Sequence, residues 1–308
     1  MLYESCCHIL WRRWLIHCYR SFTSRQLVYE EYGDPSKVLK LRNIDISDEL
    51  KPKEVKISWK GSPINPADIN QIQGVYPVKP DLPAVAGNEG FIGTEVTYLS
   101  PGDHVVALRS GLGSWQTHSV HHEDDLFKID KNLPFEAAAT IKVNPPTAYR
   151  MLKDFVDLRP DETIIQNGAN SAVGKAVIQL AKAVNVHTIN IVRNRQNLDE
   201  LVDELKSLGA DEVYTEKLIF CFLFYAQKVR LALNCIGGRS TSLLSQALSK
   251  GGVMVTYGGM SKQALMVSQF IDISLRGFWM TRWYIQQENK EVYIYYIMYL
   301  NHVSLTKK

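Results

Sequence analysis

Tyr76 sits between Gly74 and Pro77, where the chain must turn and a bulky ring has no evident packing partner. A phenol so placed either covers the rim of a domain or offers its hydroxyl to a ligand. Just downstream, Gly87-Asn88-Glu89-Gly90 has the rhythm of a zinc loop, with Asn88 where a metal-binding His is expected and no Cys pair nearby. Catalytic zinc needs three protein ligands and an open position, so this loop is read as metal-free. The other metal candidate, "HHEDD" at 121–125, is explained more simply by a solvated charged turn.

A second chemistry is written into residues 163–195. The strand-like "TIIQN" runs into "GANSAVG" and then a helical stretch. Gly168, Ala169, Ser171, Ala172 and Gly174 are small enough for a tight turn and a close backbone approach to a diphosphate. The following helix offers free N–H groups and the positive end of its dipole. The next strand ends "INIVRNR", where an NAD-binding fold places an acid on the ribose 2′-hydroxyl. Arg193, Asn194 and Arg195 stand there instead. Two guanidinium groups suit a 2′-phosphate through charge-assisted hydrogen bonds, so NADP(H) is the expected cofactor. The alternative is a solvated loop of surface arginines.

These groups must be positioned by two kinds of structure. From about residue 26 to 130, short strand-like runs are separated by Gly and Pro pairs, which predicts a small, partly open β-barrel. Within it "NPADINQIQG" predicts a brief helix with Asn65 as N-cap and Pro66 at its first position, ending just before Tyr76. The pattern changes near Pro134: "PFEAAATIKVNPPTAYRMLKDF" is helical, interrupted at Pro145-Pro146. Strand and helix then alternate through "AVGKAVIQLAKAV", "HTINIV", "LDELVDELKSLGA", "DEVYT", "RLALNCIGG", "STSLLSQALSK" and "GGVMVTYGG". Such alternation predicts an α/β protein with a doubly wound parallel sheet.

The 308 residues suffice for two cores. A net charge of +3 is too small to argue for nucleic acid or an anionic membrane. Most of it is local: residues 1–25 hold Arg12, Arg13, Arg20 and Arg25 against Glu4 alone. Ile9, Leu10, Trp14, Leu15 and Ile16 can share a helical face there, the marks of a mitochondrial transit peptide. No stretch in it approaches the ~20 apolar residues that span a bilayer. Cys6, Cys7 and Cys18 would leave with such a peptide, and Cys221 and Cys235 are too few for a disulfide framework. A reduced, matrix-type protein is expected.

Taken together, these residues resemble a family. The chain is similar to the medium-chain dehydrogenase/reductases, and within them it closely resembles the mitochondrial trans-2-enoyl-thioester reductases. The carrying stretches include "SPINPADINQIQGVYP", "LPAVAGNEG", "GLGSWQT", "VNPPTAYRML", "IIQNGANSAVGKAVIQLA", "INIVRNR", "GGVMVTYGGMSKQ" and "LRGFWM", within roughly residues 27–283. The resemblance implies a GroES-like substrate domain at 26–137, a Rossmann NADPH-binding domain at 138–277, and a return towards the substrate domain at 278–308. It implies NADPH-dependent reduction of the C2=C3 bond of enoyl thioesters carried on acyl carrier protein or CoA, in mitochondrial fatty-acid synthesis, by a homodimer.

The same resemblance implies that Tyr76 is the catalytic residue, its phenol donating to the charge that develops on the thioester oxygen. It places Asn144 and Asn170, Ser171, Ala172 and Val173 along the cofactor cleft, with Arg193 to Arg195 at the ribose. Tyr257, Gly258, Gly259 and Met260 are implied to approach the nicotinamide side, and Phe278, Trp279 and Met280 to lie near substrate and nicotinamide. Four stretches depart from the family. "FIGTEVTYLSPGD" and "QALMVSQFIDISLRG" are shortened, "KLIFCFLFYAQKV" at 217–229 is unusually apolar, and the chain stops where the family continues towards a further cofactor-binding lysine. Two rivals therefore stand beside the reductase: a zinc-free quinone or alkenal reductase, and an NADPH-binding protein impaired in catalysis.

Overall fold

A computed structural model of the chain describes residues 21–94, 102–218, 229–267 and 272–286. The arginine-rich segment up to residue 20, most of the apolar run at 217–229 and the chain beyond residue 286 lie outside the described residues, as do parts of both shortened stretches.

The first half is antiparallel. Strand β1 (Ser21–Tyr29) is followed by the short helix α1 (Pro35–Val38), β2 (Lys40–Ser47), β3 (Glu54–Gly61), α2 (Pro66–Ile72), β4 (Ala84–Val85), β5 (Phe91–Thr94), β6 (His104–Ala107), β7 (His118–His122) and β8 (Leu126–Ile129). They form two sheets, β2-β1-β4 and β7-β3-β5-β6-β8. Strand β3 shows why: Val55, Ile57 and Trp59 are buried while Lys56, Ser58 and Lys60 face away, the period of two that a half-buried strand requires. Backbone bonds from Leu27 to Trp115, Thr117 to Arg25 and Trp59 to Thr117 join the sheets into the partly open barrel. Residues Ser21 to Arg25, read from sequence as the end of a leader, already pair with Ser47 to Asn43 in this ladder. Glu123–Asp125 of the charged "HHEDD" form a 3-10 turn at the end of β7.

The second half is the α/β unit. It comprises α3 (Phe135–Thr140), α4 (Asn144–Asp154), β9 (Thr163–Asn167), α5 (Ala172–Ala183), β10 (His187–Val192), α6 (Leu198–Ser207), β11 (Glu212–Thr215), β12 (Val229–Asn234), α7 (Gly238–Ala247), β13 (Leu248–Thr256), β14 (Ile273–Gly277) and α8 (Met280–Gln286). The strands run parallel in the order β11-β10-β9-β12-β13-β14. The order reverses after β9, so the crevice that binds ligands in such sheets lies at the carboxyl ends of its neighbouring strands.

Three details differ from the sequence reading. Pro145 and Pro146 lie in the first turn of α4, where the missing N–H costs nothing, and the helical stretch breaks before them. Leu248 to Lys250 belong to β13: a register shift after Val229 and a positive φ at Gly251 let the strand begin earlier. Strand β14 carries no apolar alternation and is mostly exposed.

Leu231, fully buried on β12, packs in the cluster that holds Ile164, Val177 and Val255. Leu231→Ala should lower stability by about 2–5 kcal/mol, read as a shifted midpoint in equilibrium urea unfolding.

Candidate active site

Tyr76 is placed by the end of α2. Gly74 takes φ +74°, and a Cβ there would lie 2.8 Å from the ring of Tyr32, so only glycine closes the helix this way. The N–H groups of Val75 and Tyr76 then both donate to the Asn70 carbonyl, at 3.0 and 3.1 Å. The Gln71 amide donates to Val78 O at 3.1 Å and pins the chain beyond. The phenol is thus delivered on a short, fully bonded turn.

Its partners come from the other half of the chain. Trp279 Nε1 donates to the Tyr76 hydroxyl at 2.6 Å, the two rings meeting edge to face with centroids 5.6 Å apart. The Thr281 hydroxyl lies 3.2 Å from the same oxygen. Both residues follow the carboxyl end of β14, held there by Phe278 N–H on Thr256 O at 2.9 Å. Helix α8 is clamped further on: Tyr284 donates to Lys142 O at 2.7 Å, and the Arg150 guanidinium lies 4.6 Å from the Trp283 ring centre.

Below the tyrosine is a buried polar network. Asn65, the N-cap of α2, forms a capping box with Asp68. Its N–H donates to Asp68 Oδ2 at 2.8 Å, and its amide donates to Glu89 Oε2 at 2.7 Å. Glu89 Oε1 accepts the Val143 N–H at 2.8 Å, at the start of α4. Asn144, the next residue, approaches Asn65 Oδ1 at 3.4 Å. The carboxyl of Glu89 therefore bridges barrel and α/β unit. Burial pushes it up to about 7, and burial raises Asp68 as well. Burial pushes Lys142 down to about 8; its Nζ donates to the carbonyls of Arg109 at 2.7 Å and Asn88 at 3.4 Å. Asn88, in the expected metal position, is taken up by the protein. It donates to Asp68 Oδ1 and Gln71 Oε1, each at 2.9 Å, and accepts the Gly111 N–H at 2.8 Å. Among the described residues no three His, Cys, Asp or Glu side chains cluster as metal ligands.

The glycine-rich turn lies at the same carboxyl edge. Gly168 takes φ +60°, and a Cβ there would meet Cys235 Sγ at 2.5 Å. A Cβ on Gly174 would collide with the Ala169 backbone at 2.5 Å, so α5 packs hard against the turn. Ser171 caps α5, accepting the Gly174 N–H at 3.1 Å. That leaves the N–H groups of Ala172 and Val173 without a partner among the described residues, beside half-buried Asn170. Asn167 ties the strand ends together, donating to Asn234 Oδ1 at 2.8 Å and accepting the Cys235 N–H at 2.8 Å. Tyr257 and Met260 donate their N–H groups to Asn234 and Cys235, each at 2.9 Å. Gly258 packs on Cys235, with Gly259 next to it in the same exposed turn. The Tyr257 hydroxyl is buried beside the Cys235 thiol and the Ser171 hydroxyl, and burial raises its pKa well above the usual value. Arg193, Asn194 and Arg195 follow β10, all exposed, and neither arginine is in an ion pair among the described residues. A glycine cradle, two open helix N–H groups and two guanidinium groups outside any ion pair fit a dinucleotide with an extra phosphate.

The structure thus brings together Tyr76 with Trp279, Asn144 with Asn65, and Tyr257 and Gly258 with the glycine turn. Phe278 instead meets Phe155, with ring centres 5.9 Å apart, and Met280 is buried. Sequence reasoning missed Thr281, Asp68 and Lys142. Lys142 left one signal, a lone cation in the apolar run "AAATIKV"; Thr281 left none.

Comparison with known proteins sets this geometry in context. A family described as zinc-binding dehydrogenase matches residues 172–294, a span that excludes the Asn88 loop. A mitochondrial enoyl-[acyl-carrier-protein] reductase of Caenorhabditis elegans is 54% identical over 281 residues, covering 88% of this chain and 82% of that protein. The solved complex of Etr1p with NADP and crotonyl-CoA superposes with a TM-score of 0.85 at 36% identity, over 92% of this chain and 87% of that one. The mitochondrial 2-enoyl thioester reductase Etr1p/Etr2p heterodimer of Candida tropicalis gives a TM-score of 0.83 at 36% identity and the same coverage.

The Glu89 network has a pH signature. The free carboxyl titrates near 4.5 and the buried one near 7, so in between the folded chain holds a proton that the unfolded chain has released. That contribution to stability is full below pH 4.5 and is lost as pH rises towards 7. Glu89→Gln cannot titrate. Its urea midpoint should stay flatter than the parent's between about pH 5 and pH 7, whereas Lys142 acts at more alkaline pH.

Proposed function

The chain belongs to the mitochondrial enoyl-[acyl-carrier-protein] reductases, and on that premise we propose that Tyr76 is the group that meets the thioester while the carboxyl edge of the parallel sheet holds NADPH. The reaction is reduction of the C2=C3 bond of a trans-2-enoyl thioester. NADPH, when bound, supplies the hydride that Cβ receives. Electron density then moves to the thioester oxygen, and a hydrogen-bond donor placed there lowers the barrier. The observation that carries this assignment is the Trp279 Nε1 donor on the Tyr76 oxygen at 2.6 Å. It joins a turn-borne phenol to the chain leaving the carboxyl end of β14, on the sheet edge that also carries the glycine turn and Tyr257. The same hydroxyl is placed to deliver the proton that Cα requires.

Gly168 and Gly174 permit the backbone to approach the diphosphate, and the Ala172 and Val173 N–H groups face it. Arg193 and Arg195 take the 2′-phosphate, with Asn194 between them. The Tyr257 hydroxyl and the Gly258 to Met260 turn border the nicotinamide side, as do Asn144 and the Phe278 to Met280 stretch. A hydrogen-bond donor replaces a Lewis acid here, consistent with the engagement of Asn88 by three protein groups.

The chain is a mitochondrial protein, as its relatives' names state of them; the matrix is the compartment proposed. A CoA thioester serves as substrate, and acyl carrier protein is the natural carrier proposed. A two-chain assembly is supported by the Etr1p/Etr2p heterodimer of Candida tropicalis, and a homodimer is the form proposed, the outer edge of β14 being unpaired among the described residues.

Two experiments test these assignments. Tyr76→Phe keeps the ring and removes one oxyanion donor, a loss of ~2.7–4 kcal/mol or about 10²–10³ in turnover. Stopped-flow reduction of crotonyl-CoA should show it while NADPH affinity holds; a Phe variant at the parent rate makes Tyr76 a rim residue. Replacing Arg193 and Arg195 together by Ala should weaken NADPH binding and leave NADH binding nearly unchanged, measured by fluorescence titration. Equal losses for both cofactors would refute the 2′-phosphate assignment.

A further inference from the structure

Tyr76 has one proton to give, and its two neighbours decide where that proton points. A phenol hydroxyl offers one donor and two acceptor positions, and an indole N–H can only donate. Trp279 therefore occupies one lone pair of the Tyr76 oxygen. Thr281 lies 3.2 Å from that oxygen, and either atom can be the donor. If Tyr76 donates to Thr281, its proton is held inside the protein and none is left for a substrate. If Thr281 donates, both lone pairs are filled and the phenol O–H has only the open side to point to.

The surroundings favour the second arrangement. Thr281 is half-buried at the start of α8, and Tyr76 is the one partner its hydroxyl has among the described residues. The clamp of α8 through Tyr284 and Trp283 keeps the threonine at this distance. We infer that Thr281 is a positioning residue for the reduction: its hydroxyl turns the Tyr76 proton towards the substrate and then holds the phenolate left behind.

This rests on the assignment of Tyr76 above, and the step balances as follows. Hydride forms the new C–H bond at Cβ, and the C2=C3 pair becomes the enolate. The Tyr76 O–H bond breaks as its proton bonds to Cα, leaving a phenolate. Trp279 N–H and Thr281 O–H then both donate to that anion. Thr281 passes its proton to the phenolate as it takes one from a water molecule, restoring both hydroxyls, and the resulting hydroxide is neutralised in the solvent.

The test uses Thr281→Val, which keeps the branched shape and loses the hydroxyl, and Thr281→Ser, which keeps the hydroxyl. Each is made in the parent and in Tyr76→Phe. Single-turnover reduction of crotonyl-CoA and NADPH titration are measured for every form, the titration also reporting that the variant is folded. Thr281→Val should slow reduction about tenfold to a hundredfold, the loss of one hydrogen bond to a charged oxygen, with NADPH affinity at the parent value. Thr281→Ser should recover most of the rate. In Tyr76→Phe the Val substitution should add nothing, since coupled groups are not additive.

Four results would overturn the inference. One is a Val variant at the parent rate while Tyr76→Phe is slow, which leaves the Tyr76 assignment standing. A Ser variant as slow as Val would point to packing of the methyl group. An equal Val effect with and without the tyrosine hydroxyl would show that Thr281 acts elsewhere. A parent rate for Tyr76→Phe itself would remove the tyrosine assignment and this one with it.

Discussion

Glu89 lies wholly buried between an amide of the barrel and a backbone N–H at the start of α4, and the geometry of the whole cleft depends on that bridge. A buried carboxyl is costly unless its oxygens are satisfied. Here one oxygen is satisfied by each half of the chain, so separating the halves would strand an acceptor. Lys142 and Asp68 add charge of both signs to the same volume, and each is held by hydrogen bonds to the backbone or to amides. The arrangement fixes orientation more than it adds stability, because desolvation consumes most of what the charges gain. It sets Tyr76, on the turn after α2, opposite Trp279, just before α8, and Thr281 in its first turn.

The cofactor edge is built differently. Its rigidity comes from neutral amides: Asn167 and Asn234 bond across adjacent parallel strands, and Cys235 and Tyr257 hang their N–H groups on the same pair. Charge enters only at the periphery, where Arg193 and Arg195 stand exposed after β10. In the binding mode proposed above, a dinucleotide would meet helix dipole and open N–H groups at its centre and full positive charges at one end. On that proposal the neutral part would position and the charged part would discriminate.

How much of this was legible in the sequence depends on how local each cause is. The buried strands β9, β10 and β12 read as apolar runs, and the glycine turn reads from its small residues and flanking elements. Tyr76 stood out because Gly74 and Pro77 are its near neighbours, and the arginines because an acid is missing at a fixed distance from the turn. Strand β14 escaped, since an exposed edge strand has no alternation to show. The start of β13 escaped because pairing with Val229 overrides the helical character of "LSK". Thr281 and Tyr284 gain their meaning from partners 205 and 142 residues away, and no window of sequence contains both ends of such a contact. The boundary drawn at residue 25 fell inside a strand for a related reason: Ser21 to Arg25 are polar in type and are fixed by their ladder partners on β2.

The saturation of Asn88 also bears on the exchanges open to this site. A His in its place would forfeit two donated bonds and one accepted bond, leaving Asp68, Gln71 and the Gly111 N–H to find new partners. Asp68 and Gln71 are buried, and a buried group left unpaired costs about 1–3 kcal/mol, whereas the Gly111 N–H is exposed and can turn to water. A single exchange of Asn88 for His would therefore lose stability before it could gain a ligand set. The loop's own hydrogen bonds thus hold the amide at this position against that exchange.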